Sequence, residues 1–211
     1  MEITWYGLSC FRITERSRNS AVTDPFADSI GIPSPKLKGE IVTVSHDAPG
    51  HNFIEMVKGE PHIISGPGEY EIGGVFITGV AMHDAETGRH NVAYLFDYDN
   101  LTVLHLGDLS HVPNQSDVEA LGEVNVLLVP VGGGGGLKAE QAAEVVTLFE
   151  PYFVIPMHYE QPGLAWELDP VDKFLRAMGV SKAQELDTLK VTAADTPEQP
   201  QVVVLNPQVQ S

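Results

Sequence analysis

Hydrophobic positions along the chain fall mostly in short runs, many alternating with polar residues, which is the pattern of strands rather than long helices. Ile3–Tyr6 and Phe11–Thr14 predict an opening hairpin, and Ala21–Asp24 a third strand ended by Pro25. Glu40–Ser45 is apolar and β-branched, as in a buried strand. His62–Ser65, Tyr70–Ile72 and Val75–Met82 predict further strands, and Asn91–Asp97 and Leu101–Leu106 a pair joined by the turn Tyr98-Asp99-Asn100. Val124–Val131 and Tyr152–Pro156 are near-continuous apolar runs, expected of central strands covered on both faces. Leu189–Ala193 and Val202–Leu205 are the last strands. Three helices are predicted: Asn114–Leu121; Leu137–Phe149, with Ala142, Val145, Val146 and Phe149 on one stripe; and a third opened by Asp169-Pro170 and running to about Met178. Strand clusters with a few helices between them imply two packed sheets with helices outside.

The length, 211 residues, suits one domain spanning residues 1–211. Twelve Lys and Arg against 29 Asp and Glu give a net charge of −17, which repels phosphate backbones and argues against a nucleic-acid partner. The start, MEITWYGLSC, has no basic segment leading into an apolar one, and no apolar stretch reaches about 18 residues, so no membrane partner is expected. The single cysteine, Cys10, cannot form an internal disulfide and suits a reducing compartment. A cytoplasmic protein acting on a small molecule is the expectation; the oligomeric state is left open.

Chemistry concentrates where strands end. His46, His83, His111 and His158 each follow a predicted strand, as does Asp108, and His51 follows shortly after His46. Strand ends in layered α/β folds share a rim where ligands bind, and neutral imidazole with carboxylate is the usual donor set for zinc and similar ions. Pro49-Gly50 allows a tight loop between His46 and His51, and Gly107 lets the backbone turn before Asp108. His105 lies inside a predicted strand and reads as a hydrogen-bonded core histidine; His62 and His90 read as structural or surface residues. Asp47 and Asp84 are expected as solvated loop carboxylates. The run Gly132–Gly136 lies between a strand and a helix, where backbone N–H groups can cradle an anion, but it lacks the Lys-Ser/Thr of a P-loop and is expected mainly as a flexible turn near the site mouth. No Gly-x-Ser-x-Gly element is present and Cys10 has no evident partner base, so nucleophilic Ser or Cys catalysis is unsupported.

The order of a histidine cluster, a lone His, Gly-Asp and a final His resembles the metallo-β-lactamase superfamily, whose cluster reads His-x-His-x-Asp-His. Gly7–Ile13, Thr23–Phe26, Gly66–Glu71, His105–Asp108 and Ile155–His158 extend the likeness over nearly the whole chain and resemble the small Zn-dependent hydrolase branch similar to ascorbate-6-phosphate lactonases. The resemblance implies an α/β fold, a four-layer αββα sandwich of two mixed β-sheets flanked by helices, with metals at one edge of the sheets. It implies a metal set of His46, His83 and Asp108 at one site and His51, Asp108 and His158 at another, with Asp108 bridging. Asp24 would support the metal loop by hydrogen bonds, and His111 is expected beside the ligands as a donor or helix cap. The chain departs from the pattern twice: Ala48 stands where the second histidine should be, and Gly50 where the aspartate should be. Each site keeps at most three protein ligands, which favours one Zn²⁺ or Mn²⁺ over two. Two functions follow. One is a metal-dependent hydrolase activating water for attack on an ester, lactone or phosphoester. The other is a non-catalytic metal- or ligand-binding protein on the same fold. No catalytic residue beyond the ligands is identified.

Overall fold

The computed structural model describes residues 1–208. Its first half is β1 (Glu2–Gly7), β2 (Cys10–Thr14), β3 (Ala21–Thr23), β4 (Leu37–Lys38), β5 (Ile41–Thr43), β6 (Val57–Lys58), β7 (His62–Ile64), β8 (Gly68–Ile72) and β9 (Val75–His83). There follow β10 (His90–Asp97), β11 (Thr102–His105), α1 (Gln115–Leu121), β12 (Val126–Pro130), α2 (Ala139–Phe149) and β13 (Phe153–Met157). The chain then adds α3 (Val171–Ala177), β14 (Gln184–Leu186), β15 (Thr188–Lys190) and β16 (Gln201–Leu205).

Two mixed sheets result, six strands in the order β15-β1-β2-β3-β5-β7 and eight in the order β14-β16-β13-β12-β11-β10-β9-β8. Alternation in the opening strands sorts side chains between two cores. Ile3, Trp5, Phe11, Ile13, Ala21 and Ile41 join the larger core with residues of the second sheet, while Cys10, Val22 and Val42 face a smaller cluster on the other side. β12 and β13 are buried at every residue and pair in parallel, as their unbroken apolar runs require. Each buried Val or Leu there contributes about 1.5–3 kcal/mol relative to exposure.

α1 packs on β9, and α2 on β12 with α3 beside it. The smaller cluster is covered instead by irregular chain. It includes short turns of 3-10 helix at Asp28–Ile30 and Ile54–Met56, Val57 and Leu37 of the β4–β6 ladder, and Leu164, Trp166 and Leu168. Asp169, expected to cap α3, lies one residue too early: Pro170 is the N-cap, and Asp169 pairs with Lys173 at 2.6 Å. β3 runs parallel to β5, and β11 to β12 and β13. The segments following the carboxyl ends of β3, β5, β11 and β13 meet at one edge of the sandwich.

Candidate metal centre

Asp24 follows β3 in a left-handed conformation (φ 38°), with its carboxylate fully buried. It accepts the Ser45 N–H (2.8 Å) and the Ser45 hydroxyl (2.6 Å), and lies 2.8 Å from His51 Nδ1. This contact places the Nδ1 proton between His51 and Asp24 and leaves Nε2 as the free nitrogen of a nearly buried ring, as in a carboxylate-oriented metal ligand. His46 lies in the loop after β5, its ring centroid 4.2 Å from that of His51. Burial, reinforced by the neighbouring imidazole, holds His46 down to about 4. Burial and the nearby His158 hold His51 down to about 3. Both rings are therefore neutral, and competent to ligate, at neutral pH. Burial pushes Asp24 upward.

Asp108 leaves β11 through Gly107, whose φ is 61°. A Cβ there would overlap Asn91 Oδ1 and come within 2.5 Å of Ser45 Cβ, so the sharp turn needs glycine. Asn91 fixes the loop from both sides, donating to the Leu106 carbonyl (2.8 Å) and accepting the Asp108 N–H (3.0 Å). Asp108 Oδ2 receives the Arg89 guanidinium at 2.6 Å, whereas Oδ1 is buried without a hydrogen-bond partner. His158 follows β13, also left-handed (φ 52°), with its N–H on the Leu8 carbonyl at 3.0 Å. Neither of its ring nitrogens has a hydrogen-bond partner, and Nδ1 lies 3.7 Å from Asp108 Oδ1.

One ligand atom from each of His46, His51 and Asp108 falls within 4.8 Å of the other two. The His158 ring is 5.4 Å from that of His51. Buried donors and acceptors are normally paired because each unpaired one costs about 1–3 kcal/mol. The orphaned Asp108 and His158 atoms, beside two neutral imidazoles, fit a divalent metal cation.

The other predicted residues are not among the three whose ligand atoms come together. His83 is exposed at the end of β9 and stacks on His90 across the strand pair, centroids 4.6 Å apart. His111 is half-buried, with its Nδ1 unpartnered. His105 is fully buried and satisfied, its ring between the Ser9 carbonyl (2.9 Å) and the Gly107 N–H (3.2 Å). Asp84, expected in solvent, is buried and accepts the Glu86 and Thr87 N–H groups and the Ser110 hydroxyl. The glycine run is close-packed at its two ends, where Gly136 lies against Asp108 and Gly132 against the His158 and Tyr159 backbone, with no room for a Cβ at either, while Gly134 and Gly135 are exposed.

Sequence reasoning missed Arg89, Asn91 and Trp166. Trp166 packs on Gly50, where an added Cβ would overlap the indole and lie 3.2 Å from Leu8, and its ring is 5.9 Å from that of His158. No local motif marks these three; their roles arise from contacts between distant segments.

Residues 2–158 match the model of a beta-lactamase superfamily domain. A UPF0173 metal-dependent hydrolase of Thermococcus kodakarensis is 32% identical over 168 residues, 75% of this chain and 73% of that protein. Proteins of the same name from Pyrococcus abyssi and Pyrococcus horikoshii are 30% and 34% identical, over 65% and 53% of this chain. The chain spans 64% and 52% of the length of those two relatives. The crystal structure of a candidate Zn-dependent hydrolase of the metallo-β-lactamase superfamily from Thermotoga maritima superposes with a TM-score of 0.81 at 36% identity, covering 97% of each chain. With the paired mixed sheets and the strand-end histidines already in place, these matches establish that the chain belongs to the metallo-β-lactamase superfamily.

Proposed function

We propose that the chain is a metal-dependent hydrolase acting on a small-molecule ester, lactone or phosphoester, with one divalent ion, Zn²⁺ or Mn²⁺, held by His46, His51, Asp108 and His158. The observation that carries this is the convergence of neutral imidazoles and buried, unpartnered His158 and Asp108 atoms at one edge of the sheets. A divalent ion held there would supply Lewis-acid activation of water and of the scissile carbonyl or phosphoryl group. The protein's part is orientation. Asp24 fixes the His51 tautomer, Asn91 sets the direction of Asp108, and the Leu8 carbonyl anchors the turn that presents His158. The names of the relatives support the same class.

A second reading, a binding protein without hydrolytic activity, draws on one observation: position 50 is a glycine packed on Trp166, so no carboxylate stands there to assist water. Metal affinity tests the shared premise. Ala at His51, Asp108 or His158 should weaken Zn²⁺ binding by more than the ~10–100-fold typical of losing an outer-shell partner. Unchanged affinity in all three removes the metal centre. A screen of esters, lactones and phosphodiesters with loaded protein then separates hydrolase from binder.

A further inference from the structure

Arg89 is not a metal ligand, yet it contacts one. Its guanidinium donates to Asp108 Oδ2 at 2.6 Å and to the carbonyl of Gly135 in the glycine run. The turn between β9 and β10 is closed by Asp84, which takes two N–H groups of the turn and the Ser110 hydroxyl, tying the turn to the loop that carries Asp108. Arg89 also lines a cavity of about 420 Å³ with His46, Asp47, Ser65 and His90, a volume suited to a small molecule. Of the five N–H donors of a guanidinium, two are used among the described residues, and the side chain is 33% exposed. Arg89 is the only Lys or Arg lining this cavity, in a chain with 12 basic residues against 29 acidic ones.

We propose that Arg89 and the cavity wall beside His46 form an oxyanion subsite, so that the substrate carries a carboxylate or phosphoryl group, and that loading the metal switches the subsite on. This rests on the metal-centre reading. Without metal, the charge of Arg89 is spent on Asp108, and Asp47 on the cavity wall adds a further negative charge. A divalent ion at Asp108 raises the local balance by two charges and draws on the same carboxylate. The guanidinium fork is then released toward an anion, to which it makes charge-assisted, bidentate hydrogen bonds. Because binding linkage is reciprocal, the anion must tighten the metal by the factor by which the metal tightens the anion.

Inorganic phosphate and acetate serve as probes, titrated into the 211-residue chain with and without Mn²⁺. Calorimetry and paramagnetic broadening of the ³¹P signal read binding and nearness to the ion. Loaded parent protein should bind phosphate at least tenfold more tightly than metal-free protein. Arg89→Gln should lose at least tenfold in phosphate affinity while holding Mn²⁺ no more weakly, since a competing cation has been removed from Asp108. Arg89→Lys keeps the charge without the fork and should fall between, which gives a reading even where the Gln variant fails to fold. Acetate bound with the same Arg89 dependence extends the subsite to carboxylates; acetate that fails to bind restricts the proposal to phosphoryl groups and overturns its carboxylate half. Phosphate bound equally by the parent and both Arg89 variants, all loaded, overturns the subsite while leaving the metal centre intact. Failure of the parent to hold metal overturns the centre and the coupling with it.

Discussion

Asp24 shows how one buried carboxylate organises ligands it does not join. Three donors converge on it, two from Ser45 and one from His51, and its burial matches theirs. Replacing it by Asn keeps the volume but weakens the contact that fixes the His51 ring and its tautomer. Asp24→Asn should lower Zn²⁺ affinity by about 10–100-fold, measured by competition with a chromophoric chelator. An affinity within twofold of the parent would confine Asp24 to holding the loop after β5. Asp24 was legible in the sequence through the family likeness, as were His46, His51, Asp108 and His158 as candidates. Arg89 was not: in Gly88-Arg89-His90 it looks like any turn arginine, and only the fold brings it to Asp108. His83, legible by its place after a strand, ends β9 paired with His90, and its exposed ring stacks there.

Elements were legible where burial imposed a pattern. β12, β13 and α2 carry unbroken or helical-period apolar residues and fall close to their predicted bounds. β14 (Gln184-Glu185-Leu186) buries none of its residues fully and the β4–β6 ladder pairs only two residues per strand, so neither left a periodic signal. The turns carry a tighter constraint than their sequences announce. Gly107→Ala places a side chain at φ 61° against Asn91 and Ser45. A strained non-glycine backbone costs about 1–3 kcal/mol. Thermal melting should fall by about 2–4 °C for each kcal/mol in a chain of this size. A melting temperature equal to the parent's would show that the loop relaxes. Position 50 offers a sharper contrast. Its φ is not left-handed, so the obstacle to restoring an aspartate there is the Trp166 indole and not the backbone. Gly50→Asp alone should destabilise the fold without adding metal. Paired with Trp166→Gly, which clears the space, it should raise the bound metal per chain measured by elemental analysis. Equal metal content in the single and double variants would mean that Trp166 does not set the stoichiometry.

For the whole molecule, the site's neutral histidines couple stability to pH. His51 titrates near 3 in the folded protein and His46 near 4, both below the ordinary value of 6.5. As pH falls below 6.5, the unfolded chain takes up protons on these rings that the metal-free folded chain refuses. Stability therefore rises with pH across that window, is complete above about 6.5, and is lost downward until the folded rings themselves protonate. Two features oppose this. Asp24, raised by burial, takes up its proton earlier in the folded state than in the unfolded one, and acid relieves the repulsion within a chain of net charge −17. The contribution of one ring is isolated by comparison with His51→Gln, which removes the titrating group from both states. Denaturant unfolding in chelator at pH 7, 6 and 5 should show nearly the same pH response for parent and variant near pH 7. Toward pH 5 the parent should lose stability more steeply, by a difference approaching about 1.4 kcal/mol per pH unit, the value for one proton. Bound Zn²⁺ should deepen the loss, because the ion stabilises only the state with neutral ligands and leaves as they protonate. Parallel slopes for the metal-free proteins would mean that His51 is charged, or solvated, in the fold. The buried neutral imidazole on which the metal centre depends would then be absent.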